Sequence, residues 1–129
     1  MKRIICLISL VIILFSCEKS DSANYSLSGR YMGIFSRTGM DTSQVSIYFD
    51  LDRFEGFSSV TNYPAICAGK FDIDGDKVTF EDSCVWTANF DWSLILTGTY
   101  NLSFGEGTVR IWKTNGAVTD EYLLRQPTR

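Results

Sequence analysis

Rings and carboxylates carry what chemistry this chain offers. Trp86, Phe90 and Trp92 stand in Val-Trp-Thr-Ala-Asn-Phe-Asp-Trp, residues 85–92, a stretch without clear alternation, and Tyr63 lies shortly before Cys67. Aromatic side chains on loops suit contact with a ligand, a glycan or a protein hot spot. These four are therefore the candidate ligand-binding residues. The competing reading is that the same rings plug a barrel or form an irregular part of its wall. Asp72, Asp74 and Asp76 flank Gly75 in a pattern close to a calcium loop. A loop begun at Asp72 needs glycine at position 77 and glutamate at 83, where Lys77 and Ser83 stand, so the three aspartates read as outward carboxylates on a hairpin. Asp50 and Asp52 share a strand face and read as solvated groups rather than an acid–base pair. The chain has no histidine, which excludes His triads, His bases and His metal ligands. No Gly-x-Ser-x-Gly nucleophile motif is present. The expectation is a protein that is not an enzyme and takes no metal or cofactor.

The four cysteines divide by position: Cys6 and Cys17 near the start, Cys67 and Cys84 in the body. In an exported chain the latter two are expected to pair as a disulfide. A reactive thiol pair is the rival, but the Cys-x-x-Cys spacing of redox sites is absent.

The start explains why export is expected. Lys2-Arg3 precedes an unbroken apolar run, Ile4 to Phe15, which ends at Ser16-Cys17. A basic flank, a short apolar segment and a small residue form the pattern of a secretory signal. The run is too short to span a bilayer, which takes about 20 residues. Leu14-Phe15-Ser16-Cys17 resembles the lipobox of bacterial lipoproteins. That resemblance implies cleavage after residue 16 and acylation of Cys17 with palmitate-type chains. Two or three chains, at about 0.8 kcal/mol per buried CH₂, give stable membrane anchoring. Residues 1–16 then form the signal peptide and residues 17–24, polar throughout, a flexible tether. Glu18-Lys19 and Asp21 resemble short charged signals that send lipoproteins to the cell surface. The localisation implied is the cell envelope as an outer-membrane lipoprotein, with periplasmic and surface faces both open.

At 129 residues there is room for one domain. The chain carries 12 Lys+Arg against 15 Asp+Glu. Loss of Lys2 and Arg3 leaves ten cations against fifteen carboxylates, and no basic tract. No nucleic-acid partner is expected, because such binding rests on clustered Lys and Arg.

From Leu27 onward, period-2 alternation broken by turn residues is the signal of strands. The clearest are Val45 to Arg53, with Val45, Ile47, Phe49 and Leu51 on one face, and Leu94 to Phe104. Leu27 to Arg37, Phe54 to Val60, Cys67 to Ile73, Lys77 to Asp82, Thr108 to Lys113 and Ala117 to Arg125 complete the set. Asp74-Gly75 and Asn115-Gly116 signal hairpin turns. About eight short strands joined by tight turns argue for an all-β fold, an eight-stranded antiparallel up-and-down barrel, or else a β-sandwich. With Ile73 facing Val78 and Phe71 facing Phe80, the register carries Cys67 opposite Cys84, close enough to bridge.

Gly29-Arg30-Tyr31 resembles the Gly-x-Trp signature that opens lipocalins. Glu121 to Arg125 resembles their last strand, whose arginine packs over that first aromatic. The chain thus looks like a small bacterial lipocalin-like (calycin-type) lipoprotein. The resemblance implies a barrel over residues 25–127 with Gly29, Tyr31 and Arg125 as its structural motif. It also implies a small apolar or amphipathic ligand at the open end, near Trp86, Phe90 and Trp92. The alternative is a filled barrel that works as a protein-interaction module, an accessory subunit or an inhibitor.

Overall fold

The computed structural model describes residues 26–87 and 89–128. The signal expected at 1–16, the lipidation site expected at Cys17 and the tether expected at 17–24 lie outside the described residues. Eight strands follow in order: β1 (Gly29–Arg37), β2 (Ser43–Asp50), β3 (Arg53–Ser58), β4 (Ala68–Asp74), β5 (Lys77–Asp82), β6 (Gly98–Phe104), β7 (Thr108–Asn115) and β8 (Val118–Arg125). Each pairs antiparallel with the next, and β1 pairs with β8, so the sheet closes into an up-and-down barrel rather than a sandwich. Closure leaves no sheet edge to protect.

Alternation decides which residues point inward. Tyr31 and Phe35 on β1, Val45, Ile47 and Phe49 on β2, Val78 and Phe80 on β5, and Tyr122 and Leu124 on β8 are all buried. Their rings make an interlocked chain along the barrel. Tyr31 meets Phe49 (5.6 Å between centroids), Phe49 meets Phe80 (6.5 Å), Phe80 meets Tyr100 (5.6 Å), Tyr100 meets Tyr122 (6.1 Å) and Tyr122 meets Phe35 (4.9 Å). Edge-to-face and tilted contacts at these separations are the favoured arrangements of aromatic pairs. A barrel of eight strands is just wide enough for its side chains to fill, and here they fill it.

The two ends differ. At the turn end, β2–β3, β4–β5 and β6–β7 are joined by two- or three-residue connections, and Leu27 is buried where the chain runs into β1. At the loop end lie residues 38–42, 59–67 and 83–97, and the short 116–117 turn. The two longest loops bind one another: the Ala65 amide donates to the Leu94 carbonyl and the Leu96 amide donates to the Ala65 carbonyl, both at 3.0 Å. Ala65, Ile66, Leu94, Ile95 and Leu96 are buried by this packing.

Three expectations change. The strand expected to run to Arg53 ends at Asp50. Asp50 pairs with Arg53, so Leu51 and Asp52 form the hairpin tip, and Leu51 is 89% exposed at φ 54° rather than in the core. The strand expected from Leu94 starts at Gly98, because Trp92–Leu94 is a 3₁₀ turn begun by Asp91. Val60 lies beyond β3 and bridges to Tyr63. The β4–β5 register is the expected one, Ile73 with Val78 and Phe71 with Phe80, although Gly75 and Asp76 make the turn.

Candidate functional site

The β5–β6 loop is tied down along its length. Its start is held by a disulfide between Cys67 and Cys84, whose Cα atoms are 6.3 Å apart. The Trp86 indole then donates to Asp82 Oδ2 at 2.6 Å. Asp91 begins the 3₁₀ turn, its Oδ1 accepting from the Ser93 amide (2.9 Å) and hydroxyl (2.6 Å), which is how an N-cap side chain satisfies an orphan donor. Arg37, at the end of β1, grips the same turn: Nη1 donates to Asp91 Oδ2 (3.1 Å) and Ser93 Oγ (3.0 Å), and Nη2 to the Ser93 carbonyl (3.3 Å).

This bracing gathers three of the four expected ligand-binding rings. Trp86 meets Phe90 edge-on at 5.6 Å, and Phe90 meets Trp92 at 6.3 Å. Trp92 is 56% exposed, and Val85, next to Trp86 in the chain, 89%. The rings therefore make an outward platform over the loop end. Tyr63 goes elsewhere. Its ring packs edge-on against Phe35 (5.3 Å) and its hydroxyl donates to the Asp41 carbonyl (2.6 Å), so it helps stopper the barrel. Burial raises its pKa.

Beside the platform is a recess of about 350 Å³ lined by Arg37, Asp91, Ser93, Lys113, Asn115 and Asp120. Three of these side chains come from inward strand positions, Arg37 following Phe35, Lys113 following Ile111, and Asp120 preceding Tyr122. Arg37 and Asp120 are almost fully covered and bind as a fork, Nε to Oδ1 at 2.6 Å and Nη2 to Oδ2 at 2.7 Å. The bond to Asp120 raises the Arg37 pKa further, against the cost of burial. The Asp91 carboxyl is held below its ordinary pKa, first by the Ser93 hydroxyl and amide and then by Arg37. Lys113 Nζ sits 4.5 Å over the Tyr100 ring and donates to the Thr97 carbonyl (3.4 Å), and burial lowers its pKa. This charged corner is what the sequence reading missed. The available signal was parity, since all three ionisable groups continue the inward face of strands whose other inward residues are apolar.

The remaining named residues are structural or outward. Gly29 has φ 86°, the left-handed region that favours glycine, where the chain turns into β1. Tyr31 points inward and is buried, with its pKa raised by that burial. Arg125 stands opposite Met32, not Tyr31, and strand parity puts it on the outer surface. Asp72 and Asp74 are exposed on β4, and Asp76 is in the turn. No protein-family model, curated protein or solved structure matches the chain.

Proposed function

We propose that this protein is a lipid-anchored lipoprotein of the cell envelope, not an enzyme, whose barrel is a filled scaffold presenting the Trp86–Phe90–Trp92 loop to a protein partner. The anchor rests on the Leu14 to Cys17 pattern and on a disulfide-bonded body suited to an oxidising compartment. The observation that carries the binding reading is the contrast between lumen and loop. The lumen is occupied by interlocked rings, while three further rings stand outside it on a loop pinned at four points. Such a loop binds at low ordering cost, and exposed Trp is the commonest anchor of an interface hot spot. The same contrast favours this reading over a carrier of a small apolar ligand, which needs a cavity of about 300 Å³ or more inside the barrel.

Photo-crosslinking from positions 85 and 92 in the native cell tests it. The expected result is a discrete protein adduct from both positions, the one from position 85 weakened by Trp92→Ala in a barrel that stays folded. A reproducible small molecule retained by the protein in native mass spectrometry, with no adduct, would favour the carrier instead.

A further inference from the structure

A second surface stands out on the side wall, at the seam where the barrel closes. Outward positions of a one-sided sheet are normally polar, and β5 and β6 obey this, with Thr79 and Thr99 hydrogen-bonded across the pair at 2.9 Å. The seam does not. Outward Met32 and Ile34 on β1 and Leu123 on β8 are 49%, 40% and 44% exposed, and Ile34 is directly opposite Leu123. Half-buried Trp112, on the outer face of β7, stands diagonal to Leu123, with the Arg110 guanidinium stacked 4.0 Å above its ring.

Charge on this wall runs against the rest of the molecule. The chain from Cys17 onward is acidic, yet the outward ionisable residues of β7, β8 and β1 are Arg30, Arg110 and Arg125 against the single carboxylate of Glu121, which Arg110 already binds at 2.7 Å. Arg125 is directly opposite Met32 and Arg30 is two residues before it, so the cations frame the apolar patch. Exposed apolar side chains with a tryptophan and arginines at their margin are the composition of surfaces that rest in a headgroup layer. Guanidinium groups keep their charge there and fork onto phosphate oxygens.

We propose that this wall, Met32, Ile34, Leu123 and Trp112 with Arg30, Arg110 and Arg125, lies against an anionic membrane surface. Geometry allows it. The ten residues from Cys17 to Ser26, ahead of the buried Leu27, reach about 35 Å when extended, enough for an anchored barrel to lie down on its seam. In that pose the loop end projects along the membrane, open to a partner. The proposal rests on the anchored reading of Cys17 for its biological setting, but the surface can be tested without native lipidation.

The chain from Cys17 to Arg129 retains the whole barrel. Its Cys17 thiol is the one left free by the disulfide, so it can be coupled to a maleimide phospholipid in nanodiscs. With 5-fluorotryptophan at its three tryptophans, ¹⁹F NMR reads Trp112 and Trp92 together, and a headgroup spin label broadens whichever lies on lipid. In discs of phosphatidylcholine with 30% phosphatidylglycerol, Trp112 is expected to broaden and Trp92 to stay sharp. Each of Arg30→Gln, Arg110→Gln and Arg125→Gln should lower the docked-to-free ratio about fivefold, and 0.5 M salt should act in the same direction. Equal signals from Trp112 and Trp92, or broadening of Trp112 that is the same in neutral discs and in the glutamine variants, would overturn the proposal. So would a Trp112 resonance that shifts with protein concentration without lipid, which would mark the wall as a contact between copies. Absence of a lipid on Cys17 in native cells would instead count against the anchor alone.

Discussion

Arg37 and Asp120 face each other across the β1–β8 seam, and the guanidinium holds both carboxylate oxygens, at 2.6 and 2.7 Å. The pair is 83 residues apart in sequence and both side chains are covered. Its remaining donors reach Asp91 and Ser93, so one side chain closes the barrel and also pins the aromatic loop.

Removing Arg37 should therefore be costly in an asymmetric way. Arg37→Met strips the covered Asp120 carboxylate of its forked hydrogen bonds and leaves it only the charge of Lys113 on the facing strand, and breaking such a pair on one side costs about 3–5 kcal/mol. Arg37→Met with Asp120→Leu should recover much of that loss, because no covered carboxylate is left without its hydrogen bonds. Urea denaturation of the two variants checks this. A double variant no more stable than Arg37→Met alone would mean that the fork itself contributes most.

Which parts of this were legible follows from how local they are. The Cys67–Cys84 bond came from one hairpin: fixing Ile73 on Val78 carries the register outward by simple counting. Leu94-Ile95-Leu96 misled because three apolar residues before a strand look like its beginning. They are buried by the 59–67 loop across the barrel end, which no local pattern reports. Leu51 failed for the opposite reason. Its parity was right but the strand had already turned, and a leucine at positive φ gives no sign of itself in sequence. The platform of Trp86, Phe90 and Trp92 was visible as composition. Its bracing by Arg37 was not, since that depends on barrel closure.

The ionic part of the loop latch should show in pH. Asp91 has its folded pKa below the unfolded value, so its contribution is complete above the ordinary carboxylate range and is lost as pH falls below about 4. The Ser93 amide, bonded to Asp91, should report a titration midpoint lower than that of an exposed aspartate by NMR. Replacing Arg37 by Gln should raise that midpoint. A midpoint that stays put in the variant would assign the shift to Ser93 alone.

The disulfide should stabilise mainly through the unfolded chain. It spans a separation of 17 residues, and closing a loop of that size is worth about 3 kcal/mol in the chain-entropy model. A Cys67→Ala, Cys84→Ala variant should keep the barrel by circular dichroism, with its urea midpoint lowered accordingly. The loop should loosen at its start, next to Trp86, while the Arg37 contacts hold its far side. Trp86 and Trp92 signals should therefore diverge, Trp86 changing and Trp92 not. Equal changes at both would mean the loop moves as one piece.

Gly33 should be among the least replaceable residues of the wall, for a steric reason. It pairs with Leu124 at the closing seam, and a Cβ built there would overlap the backbone carbonyl of Leu123. In an unstrained strand, glycine to alanine would be mildly stabilising, by about 0.5–1 kcal/mol, through reduced backbone entropy. Here the obstacle is backbone, which cannot rotate aside as a side chain would, so Gly33→Ala should cost about 3 kcal/mol, the upper end of overpacking penalties. Because the same strands carry Arg37–Asp120 four residues further towards the loop end and Met32–Arg125 on the outer wall, splaying them should also weaken the loop latch. Thermal unfolding gives the stability change, and the Ser93 amide shift gives the latch. A Gly33→Ala protein as stable as wild type would show that β1 and β8 have room to part, and that the seam is looser than its geometry implies.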